Sequence, residues 1–397
     1  MSELREAYIV EALRTPLGKG RKDGAFSEIH PVDLATIVVK EVISRNNLHS
    51  SAIEDLIFGC ATPTGEQGFN VARTIARCAL GVEVPGTQVN RLCGSGAEAV
   101  DIASSKIKSN SYDLLIAGGV ESMSRVPMGS DMLPFPGELS NIWKILTMGS
   151  KVINETLPKD SAVNSMGISG ELIAEKYGFT RKELDEFSYD SHVKAANATE
   201  KGYFEKEIVR VETSKGVIKK DEGIRKSTTV EKMGTLPSAF KTGGLITAAN
   251  SSQITDGAAA LLLASENAIK KYNIKPRAKI LASAVVGTDV ELQLTGPITV
   301  IPKVLNKAGL KISDIDLFEI NEAFASVVLA TIKELDLPKE KVNVNGGAIA
   351  LGHPLGVSGA RLLVTLLHEL ERRNLKRGLA ALCIGGGQGI AIVIERV

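Results

Sequence analysis

One pattern occurs twice in this chain, and it limits the fold more than any other feature. Val42, Ile43, Leu48, Ser51 and Ile53 have counterparts in Val304, Leu305, Leu310, Ser313 and Ile315, all at one constant displacement. Pro31 and Pro297 stand before the two helical patterns, and Asp55-Leu56-Ile57 parallels Asp316-Leu317-Phe318. A strand pattern ending Ile116-Ala-Gly-Gly119 parallels one ending Cys383-Ile-Gly-Gly386. Unrelated helix–strand units would not keep a fixed offset, so the spacing predicts an internal duplication. Each copy alternates strands with helices. Tyr8–Ala12, Asp55–Gly59 and Tyr112–Ala117 read as strands. Asp33–Arg45, with Asp33 as its cap, Asn70–Leu80 and Ala97–Lys108 follow helical spacing. The expected fold class is α/β, with a mainly parallel sheet flanked by helices.

The duplication also locates an insertion. In the second copy Gly385–Gly389 runs directly into the last strand, Ile390–Ile394, whose first-copy counterpart is Ala258–Leu263. Residues from about 123 to 245 have no counterpart. They hold Trp143, helical patterns over Ser169–Tyr177 and Arg181–Lys201, and the basic run Lys215–Lys232. The expected domains are 1–122 with 246–272, an inserted lobe at 123–245, and 273–397.

Bulk properties exclude several classes. With 397 residues, 44% hydrophobic and 23% charged, the chain can bury a large core. A net charge of +1 gives no global attraction to nucleic acid or membrane. The four cysteines (60, 78, 93 and 383) lack metal-ligand or disulfide spacing and read as reduced intracellular thiols. The N-terminus lacks a secretory or transit pattern, no stretch reaches membrane-spanning length, and Glu-Arg-Val is not a peroxisomal address. The expectation is a cytoplasmic protein with no metal and no membrane insertion.

The chemistry centres on Cys93, in Val89-Asn-Arg-Leu-Cys-Gly-Ser-Gly96. A thiol just before a helix feels the positive end of the macrodipole, which favours thiolate. Glycines let a substrate carbonyl approach backbone N–H groups. The plainer reading is an inert cysteine beside a tight turn. Asn321 could simply cap a helix starting at Glu322, and His353, before a proline, could be a turn residue. His192, His30, His49 and His368 read as surface or interface residues, Cys60 and Cys78 as core, and Glu322 as a residue that orients its loop or caps its helix.

Five motifs together change the weighting. Cys93 in VNRLCGSG, the GGVESMS run at 118–124, Asn321 in NEAFA, His353 in GHPLGVSGAR and Cys383 in CIGGGQG resemble, in order, those of the thiolases. The resemblance covers nearly the whole chain. It implies a five-layered α-β-α-β-α fold of two similar halves with an inserted loop domain that binds coenzyme A, assembled as a homodimer or homotetramer. It implies thiolytic cleavage of 3-ketoacyl-CoA, condensation of two acetyl-CoA units, or both, with coenzyme A and acyl-CoA as substrates and no permanently bound cofactor. Cys93 would be the nucleophile, His353 its activator and Cys383 the acid/base. An enolate would lie near His353 and a water held by Asn321. A tetrahedral intermediate would lie near the N–H groups of Cys93 and Gly385. Arg225 matches a position beside the adenine, Ser252 one near the pantetheine arm, Phe240 a channel residue and Met166 one near the acyl group.

The chain departs from the common family pattern at three places. Leu236-Pro-Ser-Ala-Phe240 replaces Leu-Arg-Pro-Ala-Phe, Gln293 stands where short-chain biosynthetic members often carry Met, and Ser165 where they often carry His. These bear on acyl preference. A non-catalytic acyl-CoA binder would not need four filled catalytic positions. A Cys–His thioesterase would leave Cys383 without a role. A nucleotide dehydrogenase would need a Gly-x-Gly-x-x-Gly turn after the first strand, which is absent.

Overall fold

The computed structural model describes residues 5–132 and 164–397; Trp143 lies outside them. The first half contributes β1 (Tyr8–Arg14), α1 (Pro31–Arg45), β2 (Asp55–Gly59), α2 (Val71–Ala79), β3 (Gly86–Val89), α3 (Ser95–Lys108) and β4 (Leu114–Ser122). The inserted segment contains α4 (Met166–Tyr177) and α5 (Arg181–Glu200), and β5 (Thr255–Ala264) completes the first half. The second half contributes β6 (Ala278–Gly287), α6 (Gly296–Ala308), β7 (Leu317–Ile320), α7 (Ala325–Leu335), α8 (Ser358–Arg372), β8 (Arg377–Ile384) and β9 (Gln388–Arg396).

The duplication is visible in the pairing. The first half runs β3-β2-β4-β5-β1 and the second β7-β8-β9-β6, with Val342 bridging β7 where β3 lies beside β2. Both halves use parallel pairs first and antiparallel pairs after: β2 is parallel to β3 and β4, β5 antiparallel to β4 and β1, and β7, β8, β9 and β6 repeat the sequence. The two sheets join where Tyr8 and Ile9 pair with Lys279 and Ala278. The sheet is therefore mixed, not mainly parallel. All nine residues of β4 and all ten of β5 are buried. A strand covered on both faces is a continuous apolar run in either direction, so its pattern carries no sign of orientation.

Three apolar clusters separate five layers. The outer faces of the two sheets pack on α1 and α2, and on α6 and α7. Between the sheets lie α3 and α8, whose side chains meet strands of both halves. α8 is buried from Ser358 to Leu370, as expected for a helix with sheets on both sides. Gly359 sets its approach to α3: a Cβ there would lie 2.4 Å from the backbone N of Ala97. α1 is capped by His30, whose Nδ1 accepts the N–H of Val32 at 3.2 Å, and not by Asp33, which lies in its first turn. Among the described residues, no helix is long and apolar enough to cross a membrane.

Gly359→Ala should lower stability by about 1–3 kcal/mol, the usual range for overpacking a tight contact. Urea unfolding would read this as a lower midpoint with an unchanged slope.

Candidate active site

Cys93 sits in a turn held by its own neighbours. Asn90 Oδ1 accepts the N–H of Leu92 at 2.8 Å, and Ser95 Oγ accepts from Arg91 N at 2.8 Å and donates to the Leu92 carbonyl at 2.7 Å. Together they hold Leu92 at φ 48, left-handed backbone that a leucine rarely adopts. Arg91 is fixed by a bidentate pair with Glu98, at 2.7 and 2.8 Å. The thiol is presented just before α3. Gly94 lets that turn touch the end of β8, since a Cβ there would lie 2.5 Å from Ile384 Cδ1.

Cys383 is the penultimate residue of β8 and is buried. Two residues later, Gly385 packs on the Cys93 turn, where a Cβ on it would lie 3.4 Å from Leu92 Cδ1, and its N–H acts to lower the Cys93 thiol. Burial pushes the Cys93 thiol up to about 11, against the lowering effect of the N–H groups of Gly385 and of Cys93 itself. The expected macrodipole activation is therefore overridden. A helix terminus supplies about 0.3–1 kcal/mol, less than one pKa unit, and desolvation outweighs it. Burial also raises Cys383, and a charge on Cys93 would raise it further.

His353 and Asn321 form the second cluster. The His353 N–H donates to the Gln253 carbonyl and to Thr255 Oγ1, fixing the loop on the start of β5. Its Nδ1 lies 2.6 Å from Ser358 Oγ, and that hydroxyl donates to the Pro354 carbonyl at 2.9 Å. The hydroxyl proton is thus committed, Nδ1 is the donor, and the lone pair is on Nε2. Nε2 faces Asn321 Nδ2 at 3.3 Å, while Asn321 Oδ1 is buried with no partner among the described residues. Burial, with Arg361 nearby, lowers His353 to about 3, so the imidazole is neutral at physiological pH. Asn321 is no helix cap, because α7 starts at Ala325 behind Phe324. Glu322 ties loops together, accepting from Ser191 Oγ, Asn343 Nδ2 and the Ile349 N–H. Gly356 joins the two clusters' supports, its carbonyl lying 2.9 Å from where a Cβ of Gly96 would be.

The inserted segment lines one side. A Cβ on Gly385 would lie 3.0 Å from Met166 Cε, one on Gly167 would strike the Phe240 ring, and Phe240 meets Phe324 edge-on at 5.9 Å. Ser252 donates its N–H to the Ala323 carbonyl beside Asn321 and Glu322. Arg225 lies on a cleft of about 540 Å³ whose lining includes Lys220, Lys226 and Lys232 with Ser227 and Thr228, a cationic surface suited to phosphate. Its N–H donates to His192 Nδ1. His192 and His368 are buried, not surface residues, and Cys78 is exposed, not core. Sequence reasoning missed Ser358 as the group that sets the imidazole tautomer; the signal was a hydroxyl five residues after His353 at a helix start.

Two thiols where a turn meets a strand end, a neutral imidazole and an amide are groups that acyl transfer through sulfur can use. The chain matches the thiolase N-terminal domain over residues 7–267 and the thiolase C-terminal domain over residues 274–396. It is 45% identical to the β-ketoadipyl-CoA thiolase of Acinetobacter baylyi and 43% identical to the 3-ketoacyl-CoA thiolase of Bacillus subtilis, in each case over 99% of this chain and 100% of the relative. A crystal structure of human mitochondrial 3-ketoacyl-CoA thiolase in complex with CoA superposes with a TM-score of 0.90 at 36% identity, covering 100% of this chain and 99% of that one. The chain belongs to the thiolase family, and its activity is that of a thiolase acyltransferase.

Alkylation of Cys93 by iodoacetamide should rise log-linearly with pH from 6 to 9, toward an inflection near 11. His353, neutral above about 3, adds no step near 6.5. Peptide mass spectrometry across a pH series checks this; a plateau at neutral pH would indicate a preformed thiolate.

Proposed function

We propose that the protein cleaves 3-ketoacyl-CoA with coenzyme A, releasing acetyl-CoA and a shortened acyl-CoA. The observation that carries this reading is the meeting of the Cys93 turn with the end of the strand of Cys383, where a Cβ on Gly94 would lie 2.5 Å from Ile384 Cδ1 and one on Gly385 3.4 Å from Leu92 Cδ1. Cys93 Sγ attacks the 3-keto carbonyl and gives its proton to Nε2 of the neutral His353. The oxyanion lies on the N–H groups of Cys93 and Gly385. The C2–C3 bond breaks, and the departing acetyl-CoA enolate, held near His353 and Asn321, takes the proton of Cys383. Coenzyme A then attacks the acyl-Cys93 thioester as its own thiol proton passes to the Cys383 thiolate, and the His353 proton returns to Cys93. Condensation is the same path reversed, opposed by the unfavourable equilibrium for joining two thioesters.

Arg225 and the lysines of its cleft are assigned to the phosphates of coenzyme A, Ser252 and Phe240 to the pantetheine arm, and Met166 to the acyl group. The domain limits stay at 1–122 with 246–272, 123–245 and 273–397. The all-reduced thiols support a cytoplasmic location. We assign the homodimer contact to β3, an edge strand whose residues are partly or fully exposed, and to the neighbouring Phe69, which is fully exposed. An unpaired edge beside an apolar side chain is a template for a second copy.

Thiolysis is followed as loss of the 3-ketoacyl-CoA enolate absorbance across acetoacetyl-CoA, longer chains and 3-oxoadipyl-CoA. An optimum at the four-carbon substrate defines an acetoacetyl-CoA thiolase, a longer optimum a degradative one, and cleavage of none of them overturns the reading. Cys93→Ala should reduce cleavage by about 10⁴-fold or more, as removal of a nucleophile does. Cys383→Ala should lose carbon–carbon cleavage yet retain acyl exchange with coenzyme A. Phe69→Asp should shift the sedimenting species toward monomer.

A further inference from the structure

Gln293 is fully buried, and its backbone has φ 27, in the left-handed region. The Leu294 N–H bonds back to the Leu292 carbonyl across it, closing a three-residue turn. Its side chain touches three segments. Oε1 accepts the Gly386 N–H at 2.8 Å, and Nε2 donates to the Asn164 carbonyl at 2.7 Å and to Ser169 Oγ at 2.9 Å. Ser169 in turn donates to the Glu291 carbonyl at 3.0 Å. The amide orientation is therefore fixed by its partners: a carbonyl and a committed hydroxyl can only accept, and a backbone N–H can only donate.

We propose that Gln293 is a positioning residue for the thiolase reaction, a strut that holds the Gly385–Gly386 peptide, through it sets the N–H of Gly385 one peptide earlier, and couples both to the wall carrying Met166. This rests on the function proposed above. Two facts favour a strut over a side chain that reads the acyl tail. Both Nε2 protons are committed to the protein, so no amide donor remains for a substrate carboxylate or hydroxyl. The bonded neighbour, Gly386, follows Gly385, which packs on the Cys93 turn with a Cβ position 3.4 Å from Leu92 Cδ1 and whose N–H acts to lower the Cys93 thiol. Gly386 and Gly387 have φ 78 and 73, and the Gly385–Gly386 peptide between them and β8 is held from two sides, by Gln293 Oε1 on its N–H at 2.8 Å and by the longer bond of Gln388 Nε2 to its carbonyl at 3.4 Å. On its other side the Gly387 carbonyl accepts the Thr288 N–H at 2.7 Å. Gly385 also packs on Met166, the first residue of α4, which Asn164 and Ser169 bracket. An acyl group that displaces Met166 thus pulls on the same strut that sets the Gly385 N–H.

The test is Gln293→Met, which keeps the volume and removes all three bonds, beside Ser169→Ala, which removes one anchor and leaves the Gly386 bond. Two readouts are taken. The first is the rate of Cys93 alkylation by iodoacetamide at pH 8, which requires no turnover. Withdrawal of the Gly385 N–H raises the thiol pKa, so Gln293→Met should alkylate about three- to tenfold more slowly and Ser169→Ala less so. The second is thiolysis, where kcat should fall about ten- to hundredfold in Gln293→Met, short of the loss for a deleted oxyanion donor, with KM for coenzyme A little changed. Circular dichroism and melting establish folding. If Gln293→Met does not fold, the graded loss in Ser169→Ala decides. Unchanged alkylation in the folded variants, or a change confined to KM for the acyl substrate, overturns the strut. Absence of thiolysis in the unmodified protein overturns the proposed function instead, and the alkylation comparison still judges Gln293.

Discussion

The joint between the halves depends on one buried carboxylate. Glu121, near the end of β4, accepts N–H groups from Ala61 at 2.8 Å, Thr62 at 3.2 Å and Gly356 at 2.7 Å, and from the Gln67 side chain at 2.8 Å. Burial raises its pKa, and these donors oppose that rise. The first two belong to the loop leaving β2, and the third to the loop that follows His353. Glycines make the meeting close: a Cβ on Gly119 would lie 2.0 Å from the Gly356 carbonyl, and one on Gly59 within 2.7 Å of it. No hydrophobic contact could replace this arrangement, because the surfaces that meet are backbone. A buried carboxylate with all its donors in place is specific about geometry, and losing any of them leaves a costly unpaired group.

The same economy governs the two reactive clusters. The Cys93 turn meets the end of the strand of Cys383 at Gly94 and Gly385, while His353 is oriented by Ser358 and Asn321. Burial raises the thiol and lowers the imidazole, which favours the uncharged form of both. Water-poor sites strengthen each directed dipole, which makes the placement of a single N–H matter.

Much of this was legible in the sequence, for stated reasons. The constant displacement between Val42 and Val304 foretold two copies, and their strand orders agree. Motifs rich in Gly, Cys and His identified the residues that now surround the two clusters. Strand direction was not legible, because Leu114–Ser122 and Thr255–Ala264 are apolar on both faces. His192 and His368 were misjudged because burial with a satisfied ring nitrogen leaves no mark on local sequence: the partners are the Arg225 N–H and the Ala12 carbonyl, far along the chain. The Cys93 expectation failed on magnitude, since the dipole is real but smaller than desolvation.

The two copies differ in how one hairpin is closed. Between β8 and β9 the link is Gly385–Gly387, while the matching link between β4 and β5 carries the inserted segment. The order of synthesis follows from this. β1 and β4 are apolar strands whose common neighbour, β5, leaves the ribosome only after the whole insert has been made. The second copy needs no such wait, because β8 and β9 pair as soon as they appear. Closing the longer loop costs only logarithmically more at equilibrium. In time, however, it leaves these strands without β5 while about a third of the chain is made, so the first half is where a growing chain is exposed to misassociation.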